Sequence, residues 1–156
     1  MLVAVFFSPV AQYLLQYGQD AGFQPLLIEP DTGQADAARA AGCPVQPAVP
    51  ATLGGDADIV VTDHHRLELG PVLAEALASD ARWIGLMGNA RHPGPHIPAL
   101  AGLGVPPDQI ARVHRPIGLN IGSRNPAEIA ISTLAGLIAD RNGRDGGFIF
   151  AVPQAS

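Results

Sequence analysis

Residues 2–7, Leu-Val-Ala-Val-Phe-Phe, form an unbroken apolar run, the pattern of a strand buried on both faces. Ser8 and Pro9 then supply a helix cap and a first-turn residue. Val10, Leu14, Tyr17 and Ala21 follow at helical spacing, and Gly22 provides a stop. Residues 25–29 predict a second strand that ends on the acid Glu29. Asp31 or Thr32 caps a second helix through Ala41, closed by Gly42. Residues 43–46 read as a short strand, and 47–55, with its prolines and glycines, as a loop. A polar-ended strand covers 58–63, a helix 67–79, and a further strand with its exit turn 82–88. Residues 89–98, rich in Gly, Pro and His, predict a loop, followed by short helices over 98–103 and 107–113. Asn125-Pro126-Ala127-Glu128 has the form of a capping box and opens a helix to about Asn142. A last strand is expected over 148–152.

This alternation predicts an α/β fold: a single Rossmann-like doubly wound domain over 1–156, its mostly parallel sheet covered by helices on both faces. Such sheets take ligands outside the carboxyl ends of their strands, where the winding reverses. The residues at those ends are therefore the ones to read for chemistry.

Composition narrows the chemistry. The chain has 156 residues, 47% hydrophobic and 15% charged, which argues against disorder. Its net charge is −5, and all nine basic residues are Arg. Without Lys there is no Schiff-base lysine and no Walker-type phosphate loop. The acidic balance argues against nucleic acid as a partner. One cysteine, Cys43, excludes an internal disulfide. No apolar stretch reaches the roughly 18 residues of a membrane span, and the first residues lack a basic leader. A cytoplasmic protein is expected.

After the first strand a dinucleotide-binding turn should carry Gly-x-Gly-x-x-Gly/Ala, so that backbone can approach a pyrophosphate. Here the turn is Phe6-Phe7-Ser8-Pro9-Val10-Ala11. Glu29 still lies where a ribose-binding acid is expected. NAD(P) binding and a first turn filled by its own aromatic side chains both stay open. Thr62-Asp63-His64-His65 puts a hydroxyl, a carboxylate and two imidazoles at the ligand edge. Neighbouring side chains on an extended segment point apart, so a metal shared with His92, His96 or His114 is disfavoured against helix capping or substrate contact. Gly85 and Gly88 flank the exit of the next strand, as in a turn or a close approach of ligand. Gly118, Gly122, Ser123 and Arg124 precede the capped helix at Asn125. There a free helix end favours an anion, unless Asn125 and Glu128 already fill it.

Asp58-Ile59-Val60-Val61-Thr62-Asp63-His64, Ile84-Gly85-Leu86-Met87-Gly88, and Ala111-Arg112-Val113-His114 leading into Pro116-Ile117-Gly118-Leu119 together resemble the Rossmann domain of the XdhC/CoxI family. Ile121-Gly122 and Pro126-Ala127-Glu128-Ile129-Ala130 extend the match. Members of this family are accessory factors for xanthine dehydrogenase and related molybdenum hydroxylases. The resemblance implies binding of molybdenum cofactor and its delivery to the apo-hydroxylase. It implies a pocket lined by Asp63, His64, Gly85, Met87, Gly88, His114, Gly118 and Gly122. A separate CoxI-type protein would be a further partner. The chain departs from the family's usual first turn, Gly-x-Gly-His, and from the Ser and basic run that usually follow Met-Gly. An NAD(P)-linked oxidoreductase is an alternative, as is a ligand-free scaffold that pairs as a homodimer through its apolar last strand.

Overall fold

The computed structural model describes residues 1–148. Six strands, β1 (Leu2–Val5), β2 (Pro25–Ile28), β3 (Val45–Gln46), β4 (Asp58–Val61), β5 (Trp83–Leu86) and β6 (Val113–His114), form one sheet in the order β3-β2-β1-β4-β5-β6. Every pairing is parallel. The winding reverses between β1 and β4, where Val5 stands beside Val61. This is the Rossmann strand order, with its ligand crevice expected at that reversal.

The unbroken apolar runs follow from burial on both faces. Along β1, Val3 and Val5 point into one core layer with Ile59, Val61 and α3 (Leu69–Ala78). Leu2 and Ala4 point into the other, with Val60, α1 (Pro9–Asp20) and α6 (Pro126–Arg141). A strand with two dry faces cannot alternate apolar and polar residues. The helices begin where their caps predict. Ser8 Oγ accepts the Ala11 N–H at 3.0 Å, and Asp31 Oδ1 accepts the Gln34 N–H at 2.8 Å to start α2 (Thr32–Ala40).

Three differences from the sequence pattern concern the region beyond β5. α4 (His96–Gly102) starts two residues earlier than its pattern suggests and draws His96 into the fold. α5 is a single turn, Pro107–Ile110, and Val113 with His114 instead pairs as β6 beside Ile84 and Gly85. The two-residue strand is too short to leave a periodic signal. Of the expected last strand, Phe148 lies in no strand and the rest falls outside the described residues. Among the described residues no helix is long and apolar enough to cross a membrane.

The amino edge of the sheet is tied by charge. Asp58 opens β4 fully buried, and its carboxylate accepts Arg82 Nε at 2.7 Å and Arg141 Nε at 2.5 Å. Arg82 also reaches Asp140 at 2.7 Å. These contacts join β4, the start of β5 and the end of α6. Removing one member of a buried pair leaves an uncompensated charge. Asp58→Ala is expected to lower unfolding free energy by about 3 kcal/mol in chemical denaturation, with an unchanged fold by circular dichroism.

Candidate functional site

The switch point is walled first by the turn after β1. Phe6 is fully buried and takes φ 72°, a left-handed backbone that glycine adopts freely and a bulky side chain does not. Its side chain belongs to the core layer of Val3, Val5 and Ile59, and its backbone takes the conformation that glycine supplies in a nucleotide-binding turn. The guanidinium of Arg66 lies over the Phe6 ring, 4.6 Å from its centre.

Arg66 also explains Glu29. The Glu29 side chain is wholly buried, and its two oxygens accept Arg66 Nη2 at 2.7 Å and Nη1 at 3.2 Å. The same carboxylate accepts the Phe7 N–H at 2.8 Å and the Asp31 N–H at 3.0 Å. In this geometry Glu29 serves the fold. Its acceptor sites are taken by the chain's own donors, and a ribose hydroxyl would have to displace a charged, bidentate partner. Thr62 Oγ1 closes the same corner, within 3.0 Å of the Val5 and Phe6 carbonyls and 3.2 Å from Ser8 Oγ.

On the far side of the reversal, the ends of β4 and β5 bring Asp63, His64, Met87 and Gly88 to one edge. Asp63 Oδ1 accepts the His65 N–H at 2.8 Å, which turns the chain after β4. The His64 and His65 ring centres lie 4.0 Å apart, the rings tilted by 41°. Burial holds the His64 imidazole below its ordinary pKa, helped by His65 and Arg115; Asp63 and the Met87 backbone oppose this. His64 is thus a neutral acceptor or donor near pH 7. Arg115, just past β6, donates to the Asn89 carbonyl at 3.1 Å and the His92 carbonyl at 3.0 Å, pinning the loop after β5. A Cβ on Gly88 would meet that guanidinium at 2.5 Å, so glycine there gives Arg115 room to lie against the strand end.

The remaining expected residues are spread through other contacts. A Cβ on Gly85 would strike the Trp83 indole at 2.1 Å, and His114 stacks on the same indole at 5.2 Å. Gly85 thus gives room to the indole, and His114, itself exposed, lies flat against it. Gly118, at φ 90° and exposed, lies against Ser132 of α6, where a Cβ would meet Oγ at 2.7 Å. Gly122 makes a left-handed turn at φ 70°, with Ser123 after it. Asn125 Oδ1 accepts the Glu128 N–H, and Glu128 Oε2 accepts the Arg124 N–H, each at 2.9 Å. The carboxylate of Glu128 thus stands at the helix entrance where an anion was expected. The Arg124 side chain remains exposed beside it.

The histidines do not converge: among the described residues no group of three or more His, Cys, Asp or Glu could hold a metal ion. Sequence reasoning missed Arg66 and Arg115, which organise the two sides of the crevice. The available signal for Arg66 was its placement just past a strand end in a chain with an acid ending the neighbouring run.

Arg66→Ala leaves the buried Glu29 carboxylate without its counter-ion and is expected to cost about 3 kcal/mol of stability by urea unfolding. His64 and His96 are both held below their unfolded pKa, chiefly by burial. The unfolded chain therefore binds more protons below about pH 6.5, and stability falls on acidification through that range. Urea midpoints should drop from about pH 7.5 to about pH 5.5, and His64→Gln should flatten the slope.

Comparison with known proteins places this geometry in a lineage. Residues 2–137 match the family model described as the XdhC Rossmann domain. The uncharacterized protein YqeB of Escherichia coli strain K12 is 34% identical over 91 residues, which are 58% of this chain and 16% of that protein. A Bacillus halodurans crystal structure titled as a xanthine dehydrogenase is similar in fold, with a TM-score of 0.70 at 21% identity, over 91% of this chain and 44% of that one. The chain spans less than half the length of either relative. With the strand order, the switch point and nearly the whole sheet inside the matched span, the chain belongs to the XdhC Rossmann domain family.

Proposed function

We propose that this domain is the cofactor-binding part of an accessory factor for a molybdenum hydroxylase of the xanthine dehydrogenase or carbon monoxide dehydrogenase type. It binds the phosphorylated pterin of molybdenum cofactor and passes it to the apo-enzyme in the cytoplasm, with a CoxI-type protein as a further partner. Family membership supports the accessory role. The observation that supports a ligand other than a dinucleotide is the Glu29–Arg66 pair: the acid at the end of β2 is already bound by the chain's own guanidinium, and Phe6 stands where a nucleotide-binding turn carries glycine.

The donor set on the other side of the reversal fits a pterin. Asp63 and His64 offer a carboxylate and a neutral imidazole to the ring's hydrogen-bonding edge, and Met87 and Gly88 bring backbone close. The phosphate falls to the side chains of Arg124 and Ser123, because Glu128 already occupies the helix entrance. The cofactor, when bound, supplies the metal and dithiolene chemistry of the client enzyme. This chain's residues bind, orient and shield it.

The test is ligand-dependent melting. At a hundredfold excess over Kd, molybdenum cofactor should stabilise the protein by about 2.7 kcal/mol, a rise in Tm of about 5–10 °C. NADH and NADPH should give no shift, and Arg124→Ala should lose most of the cofactor's effect. A shift with NADH and none with cofactor would replace this reading with an oxidoreductase.

A further inference from the structure

α4, α5 and β6 line an open groove of about 550 Å³ beside the β4–β5 edge described above. Its walls are apolar: Ile97 and Ala101 from α4, Pro107 and Ile110 from α5, and Val113 from β6. Two polar side chains also line it, His96 and Arg115. His96 is 6% exposed, and its Nδ1 has no hydrogen-bond partner. Arg115 Nε is likewise buried and unpartnered. Buried polar atoms are normally satisfied, so two orphans on one apolar groove need an explanation.

Charge gives the explanation its sign. Arg115 spends its two terminal nitrogens on backbone carbonyls, and no carboxylate among the described residues pairs with it. Its positive charge adds to burial in holding the His96 pKa down. The walls therefore suit an apolar body, and the polar end suits an anion that accepts from both Arg115 and His96. A Cβ on Gly88 would lie 2.5 Å from Arg115 Nε, and one on Gly94 would lie 2.6 Å from His96 Nδ1. These glycines bound the exposed segment 89–93, so each donor faces an edge of that segment.

We propose that this groove is a second binding site, taking a small monocarboxylate with an apolar body, its oxygens on Arg115 Nε–H and His96 Nδ1–H. The ligand and the apolar walls differ from those of the cofactor reading, and Arg115 stands between the two, its guanidinium also packed against Gly88.

Benzoate is the probe, followed through the His96 imidazole by NMR. Benzoate should shift the His96 signals saturably at millimolar concentration and raise the His96 titration midpoint, since an adjacent anion favours the imidazolium. Benzamide, which lacks the charge, and acetate, which lacks the apolar body, should bind at least about tenfold more weakly. Ile97→Glu, an exposed wall position, should weaken benzoate about tenfold or more while leaving the melting temperature unchanged. No saturable shift with benzoate, or equal shifts with acetate or benzamide, would overturn the proposal. So would a benzoate affinity unchanged by Ile97→Glu. Because molybdenum cofactor is absent from every arm, failure here leaves the cofactor experiment undecided, and the reverse holds.

Discussion

The ion pair between Glu29 and Arg66 is the constraint on which the carboxyl edge depends. A carboxylate with no solvent exposure must be paired and hydrogen-bonded, and Glu29 takes two guanidinium nitrogens and two backbone N–H groups. That arrangement joins the end of β2, the turn after β1 and the loop before α3. It also sets Arg66 over Phe6, so one side chain both neutralises the acid and covers the aromatic ring. Losing Arg66 would strand a charge in the core.

The same device closes the other end of the sheet, where Asp58 is held by Arg82 and Arg141. Arg112 and Arg115 similarly reach backbone carbonyls. In each case a planar fork with several fixed donors meets more than one acceptor, which a lysine ammonium does less well. This gives a physical use to much of the chain's arginine.

In the sequence, Gly85 and Gly88 fit either a turn or a close approach of ligand, and Gly118 is a pocket residue by resemblance. The structure seats the protein's own groups there: an indole on Gly85, a guanidinium on Gly88, a helix hydroxyl on Gly118. A missing Cβ makes the same room for an internal side chain as for a ligand. Sequence alone reports the room and not the occupant.

The sequence by itself determined the strand and helix order, the caps at Ser8, Asp31 and Asn125, and the doubly buried strands. These are local: periodicity, capping geometry and apolar runs act over a few residues. It also marked Asp63, His64, Met87 and Gly88, because strand ends in this topology fall on one edge. Tertiary structure alone decided that Glu29 would be answered by Arg66 from 37 residues away, that His114 would stack on Trp83 instead of joining His64, and that Glu128 would fill the entrance of α6. The first two pairings join residues distant in sequence. The third lies within one helix turn, where the same box of residues serves a self-capped or an anion-capped end, and only the placed carboxylate chooses between them.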